Sequence, residues 1–352
     1  MNEDLQKIYD RIGDSLSKDI YMDRLHYSVT HEYHYLEKMV DKTVRSRTEW
    51  KTFCGLLQER AQSADMYIFG AGKWGNTLYR ETKGQIQWRG VIDNQPRGKA
   101  MADLEVMTLE QFMERCDDHA AVVISSYKNG LDMKGQLLER CFCPDRILDA
   151  GKVICDLTEG AIYFDLAELH PEAEGEYFVD AGGFDGLTTL AFFNWCGGNG
   201  HSYCFEADRK NIVSIRDKLG DNTKCEIIPK ALWHKTAILS MKMAGSCSSA
   251  VTDKKNDEGL QEVEAAALDD MLGDQPVTFI KMDIEGAELE AIRGARHIIQ
   301  TQHPKLAISI YHKYEDIWTI PSQIMEYDLG YQFYLRHYSF SDYDTVLYAI
   351  PQ

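Results

Sequence analysis

The chain has 352 residues, too many for one ordinary domain and enough for two with full cores. Its 38 lysines and arginines stand against 56 aspartates and glutamates, a net charge of −18. That balance argues against a nucleic-acid backbone or an anionic membrane surface as the main partner. Nine cysteines without repeated spacing read as reduced thiols rather than a disulfide frame, and the lone close pair Cys141-Phe-Cys143 lacks the partners a zinc site needs. The acidic start Met1-Asn2-Glu3-Asp4 leads into no long apolar run, which predicts neither a signal peptide nor a membrane span and a cytoplasmic protein.

Residues 1–60 place Leu5, Ile8, Tyr9, Ile12, Leu16 and Ile20 on one helical face, and later Trp50, Phe53, Cys54 and Leu57. This predicts two or three amphipathic helices packing on a neighbouring element or on a second subunit of a homo-oligomer. At Met66 the pattern changes. A buried strand Met66–Phe69 meets Gly70-Ala-Gly72-Lys-Trp-Gly75 and a helix, and a second strand Trp88–Ile92 ends in Asp93. The GxGxxG turn is in its required setting, with an acid about where a ribose hydroxyl would be met. Strands are expected at Leu104–Met107, Ala120–Ser125 and Arg146–Asp149, with helices at Leu109–Cys116 and Met133–Arg140. Residues 61–150 thus form a small Rossmann-like domain with a mononucleotide, NAD or sugar-nucleotide pocket. A scaffold with an empty pocket is the competing reading, since about ninety residues hold one half of a dinucleotide fold and Trp74 stands where a pyrophosphate would lie.

Residues 151–352 make the third section. It opens on a linker with one helical stretch, Ile162–Leu169, closed by Pro171. Then Tyr177-Phe-Val-Asp180-Ala-Gly182-Gly183-Phe-Asp185-Gly186 reads as strand, glycine turn and helix start. Further strands fall at Ser202–Phe205, Cys225–Ile228, Val277–Met282, Leu306–Ile310, Tyr331–Leu335 and Thr345–Ile350. Helices follow the first, second, fourth and fifth. Ala237–Met243 is one arm of an inserted hairpin, Thr252–Glu264 a polar loop, and Gly245–Leu260 a loop shaping an acceptor pocket. Alternation of strands and helices implies a mostly parallel seven-stranded sheet, with the last two strands antiparallel across a short link.

Ligands of such sheets sit beyond the strand C-termini. There the chain places Asp180 and Asp185, Glu206 and Asp208, then Asp283 and Glu285, with no basic residue among them. A diphosphate is poorly served by that ring. S-adenosyl-L-methionine, with its sulfonium and ammonium, is well served. The Gly182-Gly183-Gly186 turn would cradle its methionine part with Asp180 near the ammonium. Glu206 beside Ala207 would take the ribose hydroxyls, and Lys230-Ala231-Leu232 would flank the adenine. Strand-end solvation and helix capping are the competing roles for these acids.

The blocks Val179-Asp-Ala-Gly182, Phe205-Glu206-Ala207, Phe279-Ile-Lys-Met-Asp283-Ile-Glu285-Gly286-Ala-Glu288 and Pro304–Lys313, with His312, resemble the FkbM family of S-adenosylmethionine-dependent methyltransferases. Tyr334–Tyr338 and Thr345–Pro351 fit as well, so the resemblance runs from about Glu176 to Pro351. It departs in the first turn, which reads Gly-Gly-Phe-Asp185-Gly where many relatives have Gly-Ala-Asn-x-Gly, with Asp185 in place of the amide. The resemblance implies transfer of a methyl group to a hydroxyl of a sugar, glycan or secondary metabolite. His312 is then the expected general base. Alternatively, Asp283 and Glu285 hold a Mg²⁺ ion that acidifies the hydroxyl, or simply serve the helix that follows. Two other readings stay open: an NAD-dependent oxidoreductase, or a sugar-nucleotide-binding protein, each using Gly70, Gly72, Gly75 and Asp93.

Overall fold

A computed structural model describes residues 3–96, 98–160, 162–242 and 260–352. The chain forms two compact units, Val40–Ile162 and a second made of Met1–Met39 with Tyr163–Gln352. The helical N-terminal segment is therefore divided between them. Among the described residues no helix is long and apolar enough to cross a membrane.

The Val40–Ile162 unit holds five parallel strands: β1 (Asp65–Phe69), β2 (Trp88–Ile92), β3 (Val106–Met107), β4 (Ala120–Ile124) and β5 (Ile147–Asp149). Their order is β3-β2-β1-β4-β5, so the chain reverses direction across the sheet between β1 and β4. Every residue of β4 is buried, as a central parallel strand requires. The helix Leu109–Arg115 begins with a complete capping box between Thr108 and Gln111.

The second unit carries a seven-stranded sheet of β6 (Glu176–Ala181), β7 (Gly200–Phe205), β8 (Cys225–Ile228), β12 (Phe279–Met282), β13 (Lys305–Ser309), β14 (Gln332–His337) and β15 (Thr345–Ile350). The order is β14-β15-β13-β12-β6-β7-β8, with β15 antiparallel to both neighbours and the other pairings parallel. Between β8 and β12, a small sheet joins β9 (Ala231–Leu232), β11 (Leu260–Ala266) and β10 (Ala237–Lys242). The hairpin arm expected at Ala237–Met243 is thus present as far as Lys242 and pairs with β11. The loop expected at Gly245–Leu260, and most of Thr252–Glu264, lies outside the described residues.

Two local expectations fail for identifiable reasons. The helix foreseen at Ile162–Leu169 is a run of turns, and the helix of this region is Ala150–Thr158. Tyr163 has φ +73, incompatible with a continuing right-handed helix, and Tyr163, Leu166 and Leu169 are nonetheless buried. Three-residue spacing had the right burial and the wrong backbone. In the N-terminal segment, Gly13 interrupts the helical face. A Cβ there would lie 2.6 Å from the Tyr334 ring, and residues 11–13 instead pair along β14 through Gly13 N to Phe333 O and Phe333 N to Arg11 O. The helix Ser15–Thr30 then continues over this edge. Ser17 Oγ accepts from Leu335 N, and Asp14 pairs with Arg336. An exposed sheet edge is thereby covered by the chain's own N-terminus.

Candidate functional site

The site is built where β6, β7 and β12 end and the chain turns. After β6, Gly182 and Gly186 have φ of +83 and +82. A Cβ on Gly182 would lie 2.0 Å from Asp283 O, and one on Gly183 would lie 2.3 Å from Cys204 Sγ. These glycines let three strand ends close on one another. Phe184 keeps a positive φ of 45 between them, a conformation non-glycine residues seldom hold without being fixed by their surroundings. It is fixed here by Glu206, whose carboxylate accepts Phe184 N at 2.8 Å and Asp208 N at 2.7 Å. Burial raises the Glu206 pKa, and those two N–H groups partly offset the rise. Glu206 therefore ties the first turn to the second while remaining half-buried at the rim, next to Ala207. Ala231 lies on β9, half-buried, directly after the Lys230–Glu264 ion pair.

Asp180 sits elsewhere than expected. It is fully buried, accepting Thr189 Oγ1 at 2.7 Å and Lys281 Nζ at 3.0 Å. Lys281 also donates to Ala181 O and Gly182 O, so one ammonium holds the carboxylate and the turn together from beneath. Burial pulls the Lys281 pKa down, but Asp180 and Asp283 outweigh it and the ammonium stays charged. This lysine corrects the picture of an unrelieved acidic ring. Asp185 is likewise paired, with Lys218, and Asp208 caps the helix Arg209–Leu219 through Lys210 N. Glu206, Asp283 and Glu285, each half-buried at a strand end, are what remain of the ring.

Beyond β12 a second cluster forms around His312. Asp283 accepts Tyr163 OH at 2.8 Å and Tyr311 OH at 3.1 Å. Burial, followed by the Asp283 charge, holds both phenols well above the ordinary tyrosine range, so both stay protonated donors. His312 lies with Nδ1 3.0 Å from Glu288 Oε1 and Nε2 3.4 Å from Asp283 and 3.6 Å from Glu285. These contacts are close but poorly aligned, because neither ring nitrogen completes a hydrogen bond. Burial alone would lower the imidazole, yet Glu288, Asp283 and Glu285 together hold it up at about 9. Burial pushes Glu285 up to about 7, and Asp283 and Glu288 add to the rise against the opposing pull of His312. Glu285 also carries φ +57, a second strained residue at a strand end. Glu288 begins the helix Glu288–Gly294 and accepts Ile284 N at 2.8 Å.

Asp283 and Glu285 do not make the compact ligand set expected for Mg²⁺. The donor atoms that lie within 4.8 Å of one another belong to Asp283, Glu288 and His312. One of these is an imidazole already paired to the acids, and both Asp283 oxygens accept phenols. A hard-oxygen magnesium site does not fit that arrangement. His337 is buried on β14, with Nδ1 3.0 Å from Thr345 Oγ1, and burial with the nearby Arg24 lowers it to about 3. It is a structural residue. Lys281, Tyr163 and Tyr311 were not singled out from the sequence. Tyr311 could have been, since it adjoins His312; Tyr163 stands 120 residues from Asp283 and left no signal.

Residues 180–335 match the family described as Methyltransferase FkbM domain. The second unit carries an FkbM methyltransferase domain. Its sheet, antiparallel β15 and glycine turn belong to the S-adenosylmethionine-dependent methyltransferase fold. No curated protein matches the chain. Among solved structures, the FkbM methyltransferase of Methylobacillus flagellatus KT is 17% identical, covering 86% of this chain and 93% of its own, with a TM-score of 0.48. A fibrillarin of Aeropyrum pernix with natively bound S-adenosyl-L-methionine is 11% identical over 54% of this chain and 72% of its own, TM-score 0.36. A putative rRNA methylase of Clostridium thermocellum is 16% identical over 52% and 89%, TM-score 0.34. In the FkbM domain of this chain the matched span begins at Asp180 and includes Glu206, Asp283, Glu285 and His312.

Proposed function

We propose that the protein transfers the methyl group of S-adenosyl-L-methionine to a hydroxyl of a small molecule, sugar or glycan. The observation that carries this reading is the acidic rim of Glu206, Asp283 and Glu285 around the glycine turn of an FkbM domain. Glu206 supplies the carboxylate for the ribose hydroxyls, and the Gly182–Gly186 turn the cradle for the methionine end. Ala207 and Ala231 flank the adenine. Asp180 and Lys281 shape the turn without reaching the cofactor.

Methyl transfer is an in-line displacement in which the acceptor oxygen attacks the carbon opposite sulfur. Holding the two in line supplies much of the acceleration. The alcohol proton must also leave. His312 is the base in this reading: Nδ1 lies 3.0 Å from Glu288 and Nε2 lies 3.4 Å from Asp283 and 3.6 Å from Glu285, contacts that align into hydrogen bonds when substrate is bound. With its pKa at about 9, the neutral imidazole is a minor species at pH 7. The rate should therefore rise with pH and level off near 9. A profile flat from pH 6 to 9 with chemistry rate-limiting would remove His312 from proton transfer.

The cofactor is tested separately by calorimetric titration with S-adenosylmethionine and its demethylated product. Both should bind, and Glu206→Ala should weaken both by about tenfold or more while the protein still unfolds cooperatively. Failure of either compound to bind the folded wild-type chain overturns the reading.

A further inference from the structure

The Val40–Ile162 unit contains a cavity of about 490 Å³, inside the range of small-ligand sites. It opens at the C-terminal ends of β1, β2 and β4, where the strand order reverses and α/β sheets place ligands. We propose that it binds a nucleoside phosphate, with the phosphate on the Gly70–Lys73 turn and the base against Tyr127 or Trp74.

The glycines of this turn differ in what requires them. Gly70 has φ +115, and a Cβ on Gly75 would lie 1.9 Å from Gly70 O, so the fold itself needs both. Gly72 has an ordinary φ of −82, and a Cβ there would meet nothing within 4 Å. Neither backbone conformation nor packing requires glycine at this position. Its missing side chain leaves open the cavity floor where a ligand would approach the main chain.

The charge of the lining points the same way. Lys73, Lys99 and Lys128 face Asp93 and Asp132, which makes the cavity net positive in a chain of −18. The helix Lys73–Thr82 starts over the cavity with no side-chain cap, adding its dipole to the lysines. Trp74 and the exposed Tyr127 give the lining two aromatic rings against which a base can stack.

Two observations favour a single nucleotide over a dinucleotide. Asp93, placed for a ribose diol, accepts Ala71 N at 2.8 Å, Gln95 N at 2.8 Å and Lys99 Nζ at 2.7 Å. Its oxygens hold the turn in shape. The second half of the sheet also ends at the three-residue β5, short of the second mononucleotide-binding half that a dinucleotide spans.

The test uses the full chain in calorimetric titrations with UMP, UDP, AMP, ADP, NAD⁺ and inorganic phosphate, and with S-adenosylhomocysteine as a ligand for the other unit. At least one mononucleotide should bind with a Kd below about 100 μM, and inorganic phosphate about tenfold more weakly or worse. Gly72→Leu and Lys73→Ala should each weaken the nucleotide about tenfold, with thermal unfolding and S-adenosylhomocysteine affinity unchanged. The uridine and adenosine arms then identify the base. No mononucleotide binding up to about 1 mM, binding indifferent to Gly72→Leu, or NAD⁺ about tenfold tighter than any mononucleotide would each overturn the proposal. Loss of S-adenosylhomocysteine binding alone would count against the methyltransferase reading and leave this one standing.

Discussion

The chain writes a strand, a glycine turn and a helix twice, after β1 and after β6, and the two turns are built differently. After β6, Gly182 and Gly183 are pressed against Asp283 O and Cys204 Sγ, and a buried Asp180–Lys281 pair braces the turn from below. After β1, the brace is Asp93 at the end of the neighbouring strand, and a Cβ on Gly72 would meet nothing of the protein within 4 Å. The same spelling therefore conceals two uses of glycine. In one turn it permits the protein to pack against itself; in the other it leaves room.

That contrast can be broken most sharply at Lys281. Lys281→Met strands the Asp180 carboxylate in a fully buried position and should cost about 3–5 kcal/mol, read as a lower denaturant midpoint. Adding Asp180→Asn should restore much of the loss, because a hydrogen-bonded amide needs no counter-charge. A loss under about 1 kcal/mol in the single variant would mean that the pair is not the brace described.

Next come the glycines. Gly182→Ala must move Asp283 O and hold a positive φ, at a cost of about 3 kcal/mol. Gly72→Ala should change stability by no more than about 0.5 kcal/mol. Equal losses at the two positions would erase the distinction.

The dependence of stability on pH differs in sign between the units. The native-state pKa of His312 is raised to about 9 from 6.5. Its stabilising contribution is complete below pH 6.5 and is lost as pH rises through 9, amounting to about 3 kcal/mol. Asp93 is shifted the other way: burial would raise it, but Lys99 and the Ala71 and Gln95 N–H groups hold it below the ordinary 3.8. Its contribution is present above that value and lost on acidification. Amide exchange followed from about pH 2.5 to about pH 9.5 should show the turn after β1 loosening at the acid end and the strand end after β12 at the alkaline end. His312→Gln should flatten the alkaline limb alone, and an unchanged limb would remove the imidazole as its cause.

The strands were legible as short, largely apolar runs bounded by turn residues, and β2, β8 and β15 fall at the bounds read from the sequence. Glu206, Asp283 and His312 were legible because strand ends are where a sheet of this kind places its chemistry. What each carboxylate does was not legible. Asp180 reads like a ligand-facing acid, yet Lys281, 101 residues later, lies next to it only because β6 and β12 pair in register. Tyr163 reads as a helical residue, since burial at three-residue spacing is shared by helices and by packed turns.

Periodicity and turn chemistry are local, so the sequence alone determined two α/β sheets, both glycine turns and the acids at their rims. Ion pairing and close approach join residues far apart in the chain. Only the tertiary structure could decide that Asp180 faces a lysine, that three carboxylates and two phenols gather around His312, and that of the six glycines in the two turns Gly72 alone stands open to a cavity rather than closed by the fold.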